Sequence, residues 1–180
     1  MPVLVLISGG ASALVEVLRP GVDLEALARV NGWLLANGRS IDEINAVRRR
    51  LSLLKGGGLA GLLAPRPVTG LLISDVEGDQ PAVIGSGPLN PPAAPSLPPG
   101  LPEWMLAMLP AEVPAAAPPP VAEVVVAATL DDALHAAEAS LVAAGLAVHR
   151  YDQHLLGDID QAVHLVTAAL GAGPQQVHLW

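Results

Sequence analysis

The chain has no cysteine, which removes disulfides, thiolate metal sites and cysteine nucleophiles together. It has no phenylalanine, one tyrosine and three tryptophans, so its interior has to be built from Ala, Leu and Val. Small aliphatic cores of this kind suit helices packed on a parallel sheet. Charge is scarce, at 14% of residues, and unbalanced, with nine basic against 17 acidic side chains and a net charge of −8. That balance argues against nonspecific binding to nucleic acid or to an anionic membrane. No apolar run approaches the roughly 20 residues that cross a bilayer. Val3 to Ile7 is too short for a signal peptide and lacks a basic leader. What remains is 180 residues, 52% of them hydrophobic, enough to bury a core and too apolar for a disordered chain. The expectation is a soluble cytoplasmic protein of one domain.

The scarcest charged residue marks the most informative stretch. Lys55 is the only lysine, and Arg48, Arg49, Arg50 and Lys55 are four of the nine basic residues, followed directly by Gly56-Gly57-Gly58. Positive charge beside open backbone N–H groups suits an anion such as phosphate or carboxylate. A solvated basic helix ended by glycine is the plain alternative. Successive helical residues are about 100° apart, so three consecutive arginines cannot all face one ligand. Arg48 borders the apolar stripe of Ile41, Ile44, Val47 and Leu51, whereas Arg49 and Arg50 turn away and read as surface charge.

In chain order, Val3 to Ile7 reads as a strand buried on both faces, opening into the glycine turn Ser8-Gly9-Gly10-Ala11-Ser12. A turn at the carboxyl end of such a strand is where open α/β sheets bind ligands. It is neither G-x-G-x-x-G nor a Walker loop. Asp23 can cap a helix from Leu24 to about Asn37, and Ser40-x-x-Glu43 is a capping box for the next. A short helix over Leu59 to Leu63 follows the glycines. Val68 to Ser74 is a second buried strand that delivers Asp75, with Glu77 and Asp79 around a bend at Gly78. Carboxylates at a strand end can hold magnesium on a nucleotide or accept a hydroxyl proton; turn chemistry is their alternative. Gly85-Ser86-Gly87-Pro88 is another open loop.

Residues 88–120 hold 12 of the 18 prolines and read as an irregular linker, with one short helix at Glu103 to Leu109 and Trp104 as an anchor. Strands at Glu123 to Ala128, Leu146 to Tyr151 and Gln175 to Trp180 alternate with a helix capped by Asp131 and another opened by Asp158. This βαβαβ pattern implies parallel strands. The five histidines show no H-x-x-x-H pair and read as satisfied or surface groups. The fold class is α/β, a Rossmann-like three-layer α/β/α arrangement with a mainly parallel sheet.

Three motifs occur in order: I-S-G-G-A-S-A-L, I-D-E-I-N-A-V-R-R-R-L-S-L-L-K-G-G and L-I-S-D-V-E-G-D-Q-P-A-V-I-G-S-G-P. Together they resemble the glycerate 2-kinase family, whose members also carry the name hydroxypyruvate reductase. The resemblance is strong from Val3 to about Pro91 and weaker from Val121 to Leu170. It implies an enzyme that uses ATP and Mg2+ to phosphorylate D-glycerate at the 2-hydroxyl, giving 2-phosphoglycerate. By motif, it implies a phosphate or substrate loop at Ser8, Gly9, Gly10 and Ser12. Asn45, Arg48 and Lys55 would line the anionic site, Asp75 and Asp79 would act as magnesium ligand or base, and Ser86 and Gly87 would close the pocket. Ala11 stands where a third glycine is usual, and Arg50 where a histidine is common.

The family also carries an upstream lysine-bearing segment and a downstream glycine- and arginine-bearing motif. This chain starts on its first strand and stops within its last, so the expectation is a truncated protein with weak or absent turnover on its own. A homodimer is left open. Two competing readings are a non-catalytic remnant that holds an anion or nucleotide, and an NAD(P)H-dependent hydroxypyruvate reductase. Against the reductase, no G-x-G-x-x-G follows a strand.

Overall fold

The computed structural model describes residues 1–90, 96–110, 121–151, 155, 158–171 and 176–180, with Val121 and Ala122 described in their backbone alone. Two compact units emerge, Met1–Ala127 and Ala128–Trp180.

The first unit carries β1 (Val3–Ile7), a single-turn α1 (Ala11–Leu14), α2 (Leu24–Ala36), α3 (Ile41–Leu51), α4 (Gly58–Leu63), β2 (Val68–Ile73), α5 (Glu103–Leu106) and β3 (Val121–Ala128). β1 and β2 run parallel, with Val3 opposite Val68 and Ile7 opposite Leu72. β3 joins the same sheet on the far side of β2. The parallel pairing sets the loops after β1 and β2 side by side at one sheet edge.

The expectation that β1 is buried on both faces is not met. Val3, Val5 and Ile7 face a core with Ala60, Val68, Leu72, Ile84 and Leu89, while Leu4 and Leu6 stay 60% and 72% exposed. Side chains alternate across a strand, so one covered face buries only every second residue. β2 alternates in the same way and ends on an exposed Ile73.

The second core of this unit is helical. Val30 and Leu34 of α2 meet Ile44, Val47 and Leu51 of α3, with Leu101, Met105 and Leu109 from the proline-rich segment. Asp23 caps α2 by accepting from the Ala26 N–H at 2.7 Å. The Ser40–Glu43 capping box opens α3, and its hydrogen bond from the Ser40 N–H holds the Glu43 carboxyl below the usual carboxylate range. The helix expected to Leu109 stops at Leu106, yet its turn still seals the core. Trp104 lies under the Arg29 guanidinium, 4.0 Å from its ring centre. Residues 91–95 and 111–120 of the proline-rich stretch lie outside the described residues. Leu34 is fully buried, so Leu34→Ala is expected to cost about 2–5 kcal/mol. A urea midpoint that falls with an unchanged slope checks it.

The second unit holds α6 (Leu130–Ala143), β4 (Ala147–Arg150), α7 (Ile159–Gly171) and β5 (Gln176–Leu179). β4 and β5 pair in parallel, with His149 opposite His178. The cap of α6 is Thr129 rather than Asp131: its hydroxyl accepts from the Asp132 N–H while Asp132 accepts from the Thr129 N–H. Asp131 lies inside the first turn and faces His135 and Arg150 instead. His154 and Gln175 lie outside the described residues.

Candidate functional site

Three sequence-distant loops of the first unit meet at the carboxyl edge of β1 and β2. Ser8, Gly9 and Gly10 follow β1 and are exposed. Gly10 takes a φ of +80°, which costs glycine little. Ala11 folds back with its N–H on Ser8 O at 3.3 Å and packs against the β-sheet core. The methyl that replaces the usual glycine therefore points inward, away from the open face of the loop. Among the described residues, the N–H groups of Gly9 and Gly10 meet no backbone carbonyl in a turn or loop bond.

Asp75, the second residue past β2, lies directly against this loop. A Cβ added to Gly9 would overlap Asp75 Oδ2 and lie 2.8 Å from its Cγ. Glycine at position 9 is thus what lets the carboxylate approach the backbone. The bend expected at Gly78 is present, with φ +75°, and Asp79 follows at φ +49°. Asp75, Glu77 and Asp79 are all exposed, and among the described residues none of them forms an ion pair.

The third loop brings Ser86, which is buried and held at φ +67°. Its hydroxyl shares a hydrogen bond with Ser12 Oγ at 2.6 Å and lies 3.5 Å from Asn45 Oδ1. Arg48 Nη2 donates to Ser12 O at 2.6 Å, while Arg48 Nε is buried without a partner among the described residues. Arg48, Ser12, Ser86 and Asn45 are thus linked in one chain of contacts.

Two expectations change. The N–H groups of the triple glycine are not open. Gly56 donates to Ser86 O at 3.0 Å, Gly57 to Gly87 O at 2.7 Å and Gly58 to Lys55 O at 3.2 Å. Buried backbone donors seek acceptors, and the 86–88 loop supplies two of them, so the run is a backbone clasp. Lys55 is not an open cation either. It is buried, with its ammonium 2.5 Å from Glu16 Oε2 and donating to Val15 O at 3.2 Å. Arg49, read as solvated charge, is half-buried over Gly56, and loss of solvent lowers its pKa against the opposing attraction of Asp42. Glu16 was not picked out from the sequence. Its signal was its isolation, as the only acid before Asp23.

Residues 2–96 match the family described as "Domain of unknown function (DUF4147)". The chain belongs to that family. Over its first half it is also a homologue of glycerate kinases. It is 47% identical over 94 residues to a D-glycerate 2-kinase of Thermotoga maritima, covering 52% of this chain and 22% of that protein. It is 52% identical over 85 residues to a glycerate kinase of Danio rerio, covering 47% of this chain and 17% of that one. The chain therefore spans about a fifth of the length of these curated relatives. Its fold is similar to the crystal structure of a glycerate kinase from Thermotoga maritima, with a TM-score of 0.59 and 30% identity, over 83% of this chain and 38% of that one. The family match covers all three loops. Among the described residues no helix is long and apolar enough to cross a membrane.

Proposed function

We propose that these loops form the phosphate- and glycerate-handling part of a cytoplasmic glycerate 2-kinase, which moves the γ-phosphoryl group of ATP to the 2-hydroxyl of D-glycerate. The observation that carries this reading is the meeting of the Ser8–Ser12 loop, Arg48 and Asp75 at one edge of a parallel sheet. Phosphoryl transfer needs little covalent help from protein; it needs positioning and charge neutralisation. In this reading the Gly9 and Gly10 N–H groups and the Arg48 guanidinium receive anionic oxygens. The Ser12, Ser86 and Asn45 chain fixes the floor beneath them. The Asp75 and Asp79 carboxylates would supply the Mg2+ ligand or the base that takes up the hydroxyl proton.

The donor set suits that ion. Mg2+ is commonly held by one or two carboxylates together with phosphate oxygens, and the Asp75 and Asp79 carboxylates are exposed and free of ion pairs among the described residues. Among the same residues no three His, Cys, Asp or Glu side chains gather into a metal cluster; in this reading phosphate oxygens of the nucleotide would supply the remaining ligands. Bound Mg2+ would neutralise charge on the transferring phosphate.

The test is ATP- and Mg2+-dependent formation of 2-phosphoglycerate from D-glycerate by the complete gene product. Absence of that product under saturating substrate would end the reading. The short span of the relatives covered favours a second outcome for residues 1–180 alone, which is anion binding without turnover. Gly9→Ala gives a sharper check. Its methyl would push Asp75 aside, and about 1 Å of misplacement can cost roughly 100-fold. The expected result is a loss of that order in kcat/KM with a nearly unchanged melting temperature. A fully active variant would show that the Gly9–Asp75 contact has no part in the chemistry.

A further inference from the structure

In the Glu16–Lys55 pair both carboxylate oxygens and the buried ammonium are bonded. Glu16 Oε2 accepts from Lys55 Nζ at 2.5 Å, and Oε1 accepts from Ser52 Oγ at 2.5 Å. Ser52 Oγ in turn accepts from the N–H groups of Leu54 and Lys55 at 3.0 and 3.1 Å. The Lys55 side chain keeps 2% of its exposure and that of Glu16 13%. Neighbouring backbone bonds run the same way, with Leu53 N–H on Val17 O at 2.8 Å and Arg19 N–H on Leu51 O at 2.9 Å. The pair thus joins the segment that follows Ser12 to the turn whose next residue, Gly56, binds Ser86 O. It closes a ring around the Ser12–Ser86 contact.

We infer that Glu16 is a positioning residue that withholds Lys55 from the anionic site and fixes the spacing of Ser12 and Ser86, leaving Arg48 to meet the anion. Desolvating two charges is costly, and such a pair persists when its remaining lone pairs and protons are bonded. Both Glu16 oxygens accept, and two of the three ammonium protons have acceptors. A lysine whose task was to greet a phosphate would keep its charge free in the ligand-free protein. The naming of the site as anionic rests on the proposed kinase reading; the bonding of Lys55 does not.

Because Lys55 is the only lysine, an amine-acylating reagent reports on it and the α-amino group alone, resolved by peptide mass spectrometry. In the native chain, acylation of Lys55 is expected to be at least about tenfold slower than in the chain unfolded by urea, since reaction must await local opening. Glu16→Gln keeps the shape but strands the cation. It is expected to abolish this protection below its own melting temperature, and to lower that temperature by about 10 °C. Glu16→Asp is expected to restore protection in part, which a purely volume-filling role would not require. The double variant Glu16→Gln/Lys55→Met is expected to regain most of the melting temperature.

Acylation at the unfolded rate in the native wild-type chain would overturn the inference. So would undiminished protection of Lys55 in Glu16→Gln, because the lysine would then be held away from solvent without the Glu16 carboxylate. None of these readouts needs turnover. A chain that protects Lys55 but makes no 2-phosphoglycerate overturns the kinase reading and keeps this one.

Discussion

Asparagine in place of Asp75 is expected to lower kcat of the complete gene product about 100- to 10,000-fold, the range for loss of a positioned acid–base group. The melting temperature should move little. Asp75 is exposed, and its only close approach described above is to the Gly9 backbone. Asparagine preserves volume and shape there. What it removes is the negative charge that would hold Mg2+ or accept the 2-hydroxyl proton, so the effect should fall on catalysis rather than on folding. Steady-state kinetics with D-glycerate, paired with thermal melting, separates the two. A kcat within threefold of wild type would take Asp75 out of the chemistry.

Gly87→Ala is expected to fail in the opposite way, through the fold. Gly87 is buried at φ +64°, where an L side chain costs about 1–2 kcal/mol before any contact is counted. Here a Cβ would also overlap Ala82 O and lie 2.6 Å from Asn90 O. Both obstacles are backbone, so no rotamer change relieves them. The displaced carbonyl of residue 87 would surrender the bond from the Gly57 N–H and loosen Ser86 next to it. The combined loss should exceed about 4 kcal/mol, read as a collapse of the urea midpoint or as insoluble protein. An unchanged midpoint would show that the 82–90 loop is packed differently.

Local signals in the sequence were reliable because their physics is local. The Asp23 cap, the Ser40–Glu43 box and the Gly78 bend each involve residues within three positions, and each forms as read. The apolar runs at Val3 to Ile7 and Val68 to Ser74 announced the parallel strands that place Ser8 and Asp75 at one edge. What stayed hidden depends on partners far along the chain. Lys55 meets an acid 39 positions away, and the Gly56 and Gly57 donors are consumed by carbonyls at Ser86 and Gly87. From composition alone, a lysine before three glycines looks like an anion cradle. Its use as a clasp becomes visible only once the 86–88 loop is in place. The same holds for β1, whose unbroken apolar run hides that only one face meets the core.

Calorimetry of Mg-ATP against residues 1–180 asks whether Arg48 and the loops around it receive a phosphate-bearing ligand. Saturable binding at one site is expected. Arg48→Ala is expected to weaken this binding at least tenfold, as loss of a charged hydrogen bond worth about 1.5–3 kcal/mol requires. No binding by the wild-type chain, or equal affinity in Arg48→Ala, would contradict that expectation.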